Sequence, residues 1–264
     1  MAQKNANINR YMRLAPEAQL EGRNPIVEAV KAGRELKMVW YLDPGHKNMD
    51  SRLENILNLI QENSSATLIP VDRHSLDKMS STYNHQGIVA EIEPREYVSI
   101  YDILDIAKAR DEKPFIMILD EVQDSQNLGA ILRTADAAGV HGVIIPERRS
   151  ASLDAAAAKT SAGAIEYVAC AKVTNISQTI SELKELGLWI GGLDMDAENI
   201  FTTNHLTYPI ALVVGNEAKG VSRNVKENCD FLLEIPMVGE INSLNASNAA
   251  AIAMYAVYQK RHIE

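Results

Sequence analysis

The chain has 264 residues, of which 46% are hydrophobic and 23% are charged, and its formal net charge is −9. This composition is typical of a folded protein with one large or two ordinary domains, and it excludes a disordered chain. The N-terminus is polar and lacks the apolar core of a signal peptide, and no apolar run approaches the roughly 18 residues that span a bilayer, so we predict a cytoplasmic protein with no membrane partner.

The first part of the chain predicts a small α/β domain that follows a flexible arm at residues 1–20. Apolar residues at helical spacing alternate there with short apolar runs typical of strands. In chain order the predicted elements are a helix from Asn24, a strand at 38–42, a helix around 53–60, a strand at 66–71, a helix at 75–80 and a strand at 87–92. We assign residues 21–95 to this domain and residues 96–113 to a linker that contains an entry helix.

Residues 114–264 predict a second α/β domain. Its strands are rich in Ile, Leu and Val and are mostly followed by helices, which indicates a mainly parallel sheet covered on both faces. The predicted strands are 115–119, 142–146, 166–169, 188–193, 210–214 and 231–235. The predicted helices are 128–138, 151–161, 175–187, 221–228 and 246–260.

Three polar loops come directly after predicted strands of this second domain, and each contains amide, hydroxyl or carboxylate side chains. Because ligands bind at the carboxyl ends of parallel strands, we expect the three loops to form one site. The residue types alone leave structural interpretations open. These are a helix N-cap for Asn127, a surface cation for Arg133, an acid at a helix start for Glu217, and caps for Ser243, Asn245 and Ser247.

The negative net charge opposes binding to a phosphate backbone, but the charge is unevenly distributed. Residues 1–95 contain 12 basic and 12 acidic residues, whereas the remainder contains 14 basic and 23 acidic residues. A nucleic acid would therefore need local basic clusters, although each basic residue taken alone is also typical of a solvated surface. The candidates are Arg10, Arg13, Arg23, Lys31, Arg34, Lys37, Arg148 and Arg149.

Metal and disulfide chemistry is not indicated. Cys170 and Cys229 are far apart and belong to no Cys/His cluster, so we expect two small buried or half-buried thiols. The six histidines are scattered, and we expect them to be packing or surface residues. The sequence therefore predicts a protein that needs no metal.

Taken in order, the segments 116–133, 210–222 and 232–248 resemble the three motifs of the SpoU family of RNA ribose 2′-O-methyltransferases, in the knotted SPOUT superfamily. The resemblance covers roughly residues 114–261. The segments 21–30 and 85–92 also resemble the substrate-binding domain of that family. The resemblance implies a C-terminal trefoil knot in which residues from about 230 onward thread under an earlier loop, S-adenosylmethionine as the cofactor, and a homodimer built on helix 246–260.

The resemblance also implies roles for individual residues, all in one site except those that contact RNA. The catalytic residues are Asn127, Arg133, Glu217, Ser243 and Asn245. The residues expected to bind or line the cofactor pocket are Gly192, Gly215, Ile235, Met237 and Leu244. The residues expected to contact RNA are Arg23, Asn24, Arg148 and Arg149.

The expected activity is S-adenosylmethionine-dependent methylation of a ribose 2′-hydroxyl in structured RNA, and a guanosine of 23S ribosomal RNA is the favoured target. A transfer RNA methyltransferase and a catalytically silent RNA-binding protein are the alternatives. A Rossmann-type dehydrogenase is excluded because no G-x-G-x-x-G follows a strand. A guanidinium stays protonated in proteins, so we expect Arg133 to bind a phosphate and stabilise the developing alkoxide rather than to act as a base.

Overall fold

A computed structural model describes residues 14–45, 48–240 and 243–263. The strands are β1 (Gln19–Glu21), β2 (Leu36–Leu42), β3 (Thr67–Val71), β4 (Ile88–Ile92), β5 (Phe115–Leu119), β6 (Gly142–Pro146), β7 (Ala169–Val173), β8 (Trp189–Asn199), β9 (Ile210–Val214) and β10 (Phe231–Glu234). The α-helices are α1 (Arg23–Lys31), α2 (Ser51–Asn63), α3 (Arg73–Met79), α4 (Ile100–Ala109), α5 (Ser125–Ala137), α6 (Ala155–Thr160), α7 (Ile176–Glu185), α8 (Arg223–Asn228) and α9 (Ala246–His262).

The chain forms two compact units. Unit 1 extends to Glu96 and also contains Ser152–Tyr167, and unit 2 contains Tyr97–Ala151 and the chain from Val168 onward. The entry helix expected within 96–113 is present as α4, in unit 2. Most of the arm predicted at residues 1–20 lies outside the described residues, although its last two residues begin β1.

Most predicted elements are confirmed within a few residues, and three strands have the predicted bounds. The strand predicted at 166–169 is wrong, because Ala164–Glu166 forms a 3-10 turn and β7 begins only at Ala169. Helix α6 begins four residues later than predicted. Its N-cap is Asp154, whose carboxylate accepts hydrogen bonds from the backbone N–H groups of Ala156 and Ala157, both at 2.9 Å.

Unit 1 contains a four-stranded mixed sheet in the order β1-β4-β2-β3. Strands β2 and β3 are parallel, and β4 runs antiparallel to both of its neighbours. Trp40, Leu76 and Val89 belong to a buried apolar cluster of this unit. Each is less than 2% exposed, so the sheet and helix α3 share one dry core.

The segment Ser152–Tyr167 is joined to the rest of unit 1 by a buried carboxylate. The side chain of Glu166 is 1% exposed and accepts salt bridges from Arg34 at 3.0 Å and Arg95 at 3.1 Å. Gly163, at φ +100°, approaches Glu28 so closely that an added Cβ would lie 2.4 Å from the Glu28 Cβ. From the sequence we expected this segment to belong to the domain 114–264. We also expected Arg34 to be a candidate ligand of phosphate. In the structure Arg34 is a partner of Glu166.

Unit 2 contains a six-stranded sheet in the order β10-β8-β9-β5-β6-β7, in which every strand pair is parallel. Strands β5 and β9 are buried along their whole length. Continuous burial explains why their sequences are unbroken apolar runs rather than alternating patterns. The predicted α/β class with a mainly parallel C-terminal sheet is confirmed.

Helix α9 is fastened at its C-terminal end by Arg261. Its guanidinium donates hydrogen bonds to the backbone carbonyls of Leu206, Lys113 and Pro114 at 3.2, 2.8 and 3.1 Å, and also to that of Tyr208. Burial lowers the pKa of Arg261 to about 10, which still leaves it charged at neutral pH. One side chain therefore links the end of α9 to the chain segments that enter β5 and β9.

Among the residues that the structure describes, no helix is both long enough and apolar enough to cross a membrane.

Candidate active site

The loop after β5 leads into helix α5, and Asp124 is the N-cap of that helix. Its carboxylate accepts a hydrogen bond from the Gln126 backbone N–H at 2.7 Å. The alternative interpretation of Asn127 as the N-cap is therefore wrong. Asn127 lies in the first turn of α5, and its side chain is available for contacts outside the helix.

Three side chains from three strand-end loops meet in what we call the amide–carboxylate cluster: Asn127, Glu217 and Asn245. The Asn127 amide donates to Glu217 Oε1 at 2.7 Å. The Asn245 amide donates to Asn127 Oδ1 at 3.0 Å and to the same Glu217 oxygen at 2.5 Å. These contacts bring together residues that are 90 and 118 positions apart in the chain. The structure thus brings the three loops together at these residues, and their use as one site stays a prediction.

Asn245 has a second task, because it is also the N-cap of α9. Its Oδ1 accepts hydrogen bonds from the backbone N–H groups of Ser247 at 2.9 Å and Asn248 at 3.3 Å. The amide nitrogen therefore belongs to the cluster and the amide oxygen to the helix. An asparagine serves both partners, whereas serine, threonine or aspartate could cap the helix without donating N–H bonds to the cluster.

The loop after β9 folds back on itself at Gly215. Asn216 and Gly220 exchange backbone hydrogen bonds of 3.1 and 2.7 Å. A Cβ added to Gly215 would lie 2.0 Å from the backbone carbon of Gly220 and 2.1 Å from the backbone nitrogen of Val221. Glycine is therefore required at position 215 because main chain, rather than a movable side chain, occupies the space.

A cavity of about 600 Å³ opens beside the cluster, at the carboxyl ends of β8, β9 and β10. Its volume falls within the range of small-molecule sites. The lining combines apolar groups, polar groups and main chain. The described lining residues used below are Val214, Gly215, Glu217, Lys226, Ile235, Met237, Gly239, Ser243 and Leu244.

Four of the five residues expected to bind the cofactor line this cavity: Gly215, Ile235, Met237 and Leu244. Gly192 is not among the described lining residues. It lies within the sheet, where an added Cβ would be 2.9 Å from Leu232 Cδ2 and 3.0 Å from Cys229 Sγ. The structure therefore gives Gly192 a packing role between β8 and β10 in place of the predicted contact with the cavity.

The remaining predicted catalytic residues lie apart from the cluster. Ser243 lines the cavity and is exposed. Arg133 is exposed on α5, with no hydrogen-bond or ion-pair partner among the described residues. It follows Asn127 by six positions, so the two side chains leave the helix about 120° apart around its axis. The structure does not bring the Arg133 guanidinium into the amide–carboxylate cluster.

The cavity also contains a charged pair that the sequence did not lead us to predict. Lys226 Nζ lies 2.6 Å from Asp194 Oδ2, and both residues line the cavity together with Asp196. The missed signal is the acidic end of β8, which extends to Asn199 although the apolar run that predicted this strand stops at Leu193.

The residues expected to contact RNA fall in both units. Arg23 in unit 1 forms a salt bridge with Asp50 at 3.1 Å, and Asn24 accepts a hydrogen bond from Arg52 at 3.0 Å. Arg149 in unit 2 pairs with Glu121 at 2.9 Å, which raises the pKa of its guanidinium. Arg148 is exposed and has no partner in the part of the chain that the structure describes.

No group of three or more His, Cys, Asp or Glu residues within 14–45, 48–240 and 243–263 could hold a metal ion. Two histidines are buried and structural: Nδ1 of His85 accepts from the Gly87 N–H, and Nδ1 of His141 accepts from the Phe115 N–H. Neither cysteine takes part in a disulfide, and Cys170 is buried whereas Cys229 is half-buried. Burial raises the pKa of the Cys229 thiol to about 11, so this thiol stays protonated at neutral pH.

Two family models match the chain. The model described as SpoU rRNA Methylase family matches residues 114–255, which contain the three loops of the cluster. The model described as RNA 2'-O ribose methyltransferase substrate binding matches residues 19–98, which lie almost wholly in unit 1.

A curated relative gives the same assignment, and a solved structure shares the fold. YacO of Bacillus subtilis (strain 168), assigned to the TrmH family of tRNA/rRNA methyltransferases, is 42% identical over 241 residues, or 91% of this chain and 95% of YacO. The SpoU methyltransferase AviRb from Streptomyces viridochromogenes, solved in complex with AdoMet, is 24% identical with a TM-score of 0.75, covering 92% of this chain and 89% of AviRb.

A third similar protein shares a smaller part of the fold. The A. aeolicus TrmH/SpoU tRNA modifying enzyme is 30% identical with a TM-score of 0.52, and the match covers 61% of this chain and 84% of that enzyme. More than half of the chain matches the methylase model, and YacO matches over nearly its full length. The chain therefore belongs to the SpoU rRNA Methylase family.

Proposed function

We propose that the protein methylates a ribose 2′-hydroxyl of structured RNA, with S-adenosylmethionine as the methyl donor. The observation that carries the proposal is the amide–carboxylate cluster beside a cavity of about 600 Å³, built from loops of the region that matches the SpoU model. Family membership supports RNA methylation. The cavity is a candidate site for the methyl donor, and the adjacent cluster is a candidate site for the acceptor ribose.

The cavity suits S-adenosylmethionine in its shape and chemistry. Gly215 and Gly239 lack side chains, so their main chain lines the cavity directly. Residues 235–239 form no backbone hydrogen bond with the rest of the described chain, which leaves their polar main-chain groups available for a ligand. Ile235, Leu244 and Val214 add apolar surface for an adenine ring.

When bound, S-adenosylmethionine supplies a methyl group on a positively charged sulfur, and this sulfur would leave as a neutral thioether once the methyl group is transferred. The residues of this chain then have to orient the acceptor hydroxyl and stabilise charge. The cluster holds the Glu217 carboxylate in a fixed orientation, because the amides of Asn127 and Asn245 both donate to its Oε1 atom. Glu217 Oε2 has no partner among the described residues, so one carboxylate oxygen remains to accept a hydrogen bond from a ligand.

We assign Arg133 the task of binding a phosphate beside the target ribose. Its guanidinium is exposed and has no acidic partner in the described part of the chain, so it is available for a bidentate contact. A guanidinium remains protonated in proteins, which argues against its use as a base. The Arg133→Lys variant should lose most of its activity because lysine cannot form the bidentate contact. Near-normal turnover of Arg133→Lys would refute this role.

We favour a guanosine of 23S ribosomal RNA as the target. The presence of a separate region that matches the substrate-binding model supports a large structured RNA, and the family model that matches unit 2 is named for ribosomal RNA. Transfer RNA is the second candidate, because the A. aeolicus enzyme that resembles this chain is a tRNA modifying enzyme.

The experiment is transfer of a labelled methyl group from S-adenosylmethionine to total RNA from a strain that lacks the gene, with 23S, 16S and transfer RNA then separated. We expect label in 23S RNA, strong loss with Arg133→Ala, and no loss with Lys108→Ala, an exposed basic residue of α4. Label in transfer RNA would change the substrate but keep the chemistry. No label in any fraction would contradict the proposal and favour a binding protein without catalysis.

We also propose that residues from about 230 onward form a trefoil knot and that two copies associate through α9. The loop after β9 and the segment after β10 line the same cavity, which supports a threaded arrangement of these two segments. On α9, Ala250, Ala253 and Ala256 are buried while Tyr255 remains about half exposed, which leaves an aromatic patch for a partner helix. Light scattering at micromolar concentration should give the mass of a dimer, and a monomer would contradict it.

A further inference from the structure

Unit 1 contains a cavity of its own, of about 750 Å³, that is separate from the methyl-transfer site. Its lining includes three arginines, Arg23, Arg52 and Arg73, and one tyrosine, Tyr83. Nothing in the chemistry of methyl transfer uses these residues, so the cavity requires another explanation.

Tyr83 is unusual both in its exposure and in its backbone. Its side chain is 86% exposed, and the next most exposed aromatic side chain among the described residues, that of Tyr101, is 53% exposed. Its φ angle is +54°, a conformation that aromatic residues rarely adopt. A bare aromatic ring held on a strained backbone is the kind of feature that persists when it serves binding.

The loop that carries Tyr83 is held by hydrogen bonds to a buried carboxylate. Glu21 accepts hydrogen bonds from the backbone N–H groups of Ser81 at 2.6 Å and Thr82 at 3.2 Å, and from the hydroxyls of Ser80, Ser81 and Thr82. Burial alone would raise the pKa of Glu21, but these hydrogen bonds outweigh it and lower the pKa. The loop is therefore fixed by a charged acceptor immediately before Tyr83.

The same loop is fixed immediately after Tyr83 as well. Lys159 of α6 donates to the Asn84 carbonyl at 2.7 Å and to the Thr82 hydroxyl at 3.1 Å. The backbone on both sides of Tyr83 is thus restrained while its ring remains free. A preorganised ring loses little freedom when a flat ligand stacks on it.

Two arginines of this cavity are not paired with any of its carboxylates. The three aspartates of the lining are already engaged: Asp50 by Arg23 and the Leu53 N–H, Asp77 by His85, and Asp43 by the Gly45 N–H. Arg52 and Arg73 have no acidic partner in the part of the chain that the structure describes. Two guanidinium groups are therefore available for phosphate.

We propose that this cavity binds an unstacked nucleotide of the RNA substrate, with the base stacked on Tyr83 and the neighbouring phosphates bound by Arg52 and Arg73. The inference rests on the proposed function, since it concerns recognition of the same RNA. Aromatic rings that stack on splayed bases, next to arginines that bind the backbone, are how proteins recognise single-stranded RNA. The site serves binding and takes no part in the methyl transfer.

The test is binding of a fluorescent, unstructured oligouridine of about ten nucleotides to the full chain, measured by fluorescence anisotropy. Tyr83→Ala should weaken binding about 5- to 100-fold, and Tyr83→Phe should stay within about twofold of the original chain because it keeps the ring. Arg73→Ala should weaken binding and lower the slope of log affinity against log salt by about 0.7.

Lys78→Ala is the matched control, because Lys78 is an exposed basic residue of the same helix, α3, outside the cavity lining. Its affinity should be unchanged apart from a small uniform effect of charge. Equal binding by Tyr83→Ala and the original chain would overturn the proposal. An equal loss in Tyr83→Phe and Tyr83→Ala would overturn it too, because the hydroxyl rather than the ring would then be recognised.

Titration of S-adenosylmethionine into the same variants separates this proposal from the proposed function. Cofactor affinity should be unchanged in Tyr83→Ala, since Tyr83 belongs to unit 1 and the cofactor cavity to unit 2. Oligouridine binding that depends on Tyr83, without methylation of any RNA, would leave the stacking site standing while the enzymatic proposal fails. Methylation with no dependence of RNA binding on Tyr83 would do the reverse.

Discussion

The two cavities of this protein use opposite designs. In unit 2, the polar groups of the amide–carboxylate cluster are bonded to one another, and Asn245 is bonded through both ends of its amide. In unit 1, the loop backbone around Tyr83 is restrained, while its ring is exposed and neither Arg52 nor Arg73 has an acidic partner among the described residues. Catalysis requires groups held in one geometry, whereas recognition of a flexible RNA strand requires a rigid surface whose rings and hydrogen-bond donors remain available to the ligand.

The largest expected effect comes from Asn245→Ser, because serine caps α9 as well as asparagine does but lacks the amide N–H groups that bind Glu217 and Asn127. We expect the single-turnover rate of methyl transfer to fall about 100- to 1000-fold at saturating RNA and cofactor. Oligouridine affinity and melting temperature should change little. A variant that retains more than half of the original rate would show that the cluster does not position the reacting groups.

Gly215→Ala tests the cofactor side of the comparison. The new methyl group would lie about 2 Å from main-chain atoms of Gly220 and Val221, so the loop after β9 has to move. We expect affinity for S-adenosylmethionine, measured by calorimetry, to fall by at least about tenfold. Gly239→Ala is the control, since it lines the same cavity but has open space around the added Cβ. Equal losses in both variants would argue against the close approach as the cause.

Glu21→Gln tests the support of the unit 1 loop. The two carboxylate oxygens accept the N–H groups of Ser81 and Thr82, which cannot reorient, so an amide would set one donor against another. We expect the free energy of unfolding to fall by about 1–3 kcal/mol and oligouridine affinity to fall several-fold, with cofactor affinity unchanged. Urea unfolding and anisotropy give both values, and Glu54→Gln, an exposed acid of α2, serves as the control. If the variant were less stable but bound RNA as tightly as the original chain, the loop would contribute to folding and not to RNA recognition.

His141 produces the smallest effect, on the pH dependence of stability. Burial lowers the pKa of this histidine, and its bond to Glu112 only partly opposes the shift. The unfolded chain therefore binds the proton more readily, so the stabilising contribution is full above about pH 6.5 and is lost as the pH falls toward the folded pKa. His141→Asn should flatten the stability curve between about pH 5 and 7 in urea unfolding. Parallel curves for the two proteins would contradict the shift.

The parallel sheet and the cluster could be predicted because their signals are local. Strand β5 is an uninterrupted apolar run, and Asn127, Glu217 and Asn245 each lie between a predicted strand and the predicted helix that follows it. The carboxyl ends of parallel strands then lie at one edge of the sheet, so the meeting of these side chains follows from topology.

The features that could not be predicted depend on contacts between distant segments. The placement of Ser152–Tyr167 in unit 1 depends on Glu166 meeting Arg34 across 132 positions of the chain. Gly192 lies near the end of a predicted strand, where a glycine often approaches a ligand. In the structure, however, the neighbouring Cys229 fills the space that a side chain at this position would need. Tyr83 carries no sequence signal at all, because its exposure arises from the bonds that hold its neighbours to Glu21 and Lys159.

The central claim is that the cluster in unit 2 transfers a methyl group to a ribose oxygen of RNA. The most direct test is mass spectrometry of the nucleosides obtained from RNA that has been incubated with the protein and S-adenosylmethionine. We expect a nucleoside with its extra methyl group on the ribose, formed by the original chain and nearly absent with Asn245→Ser. A methyl group on a base, or equal product with both proteins, would contradict it.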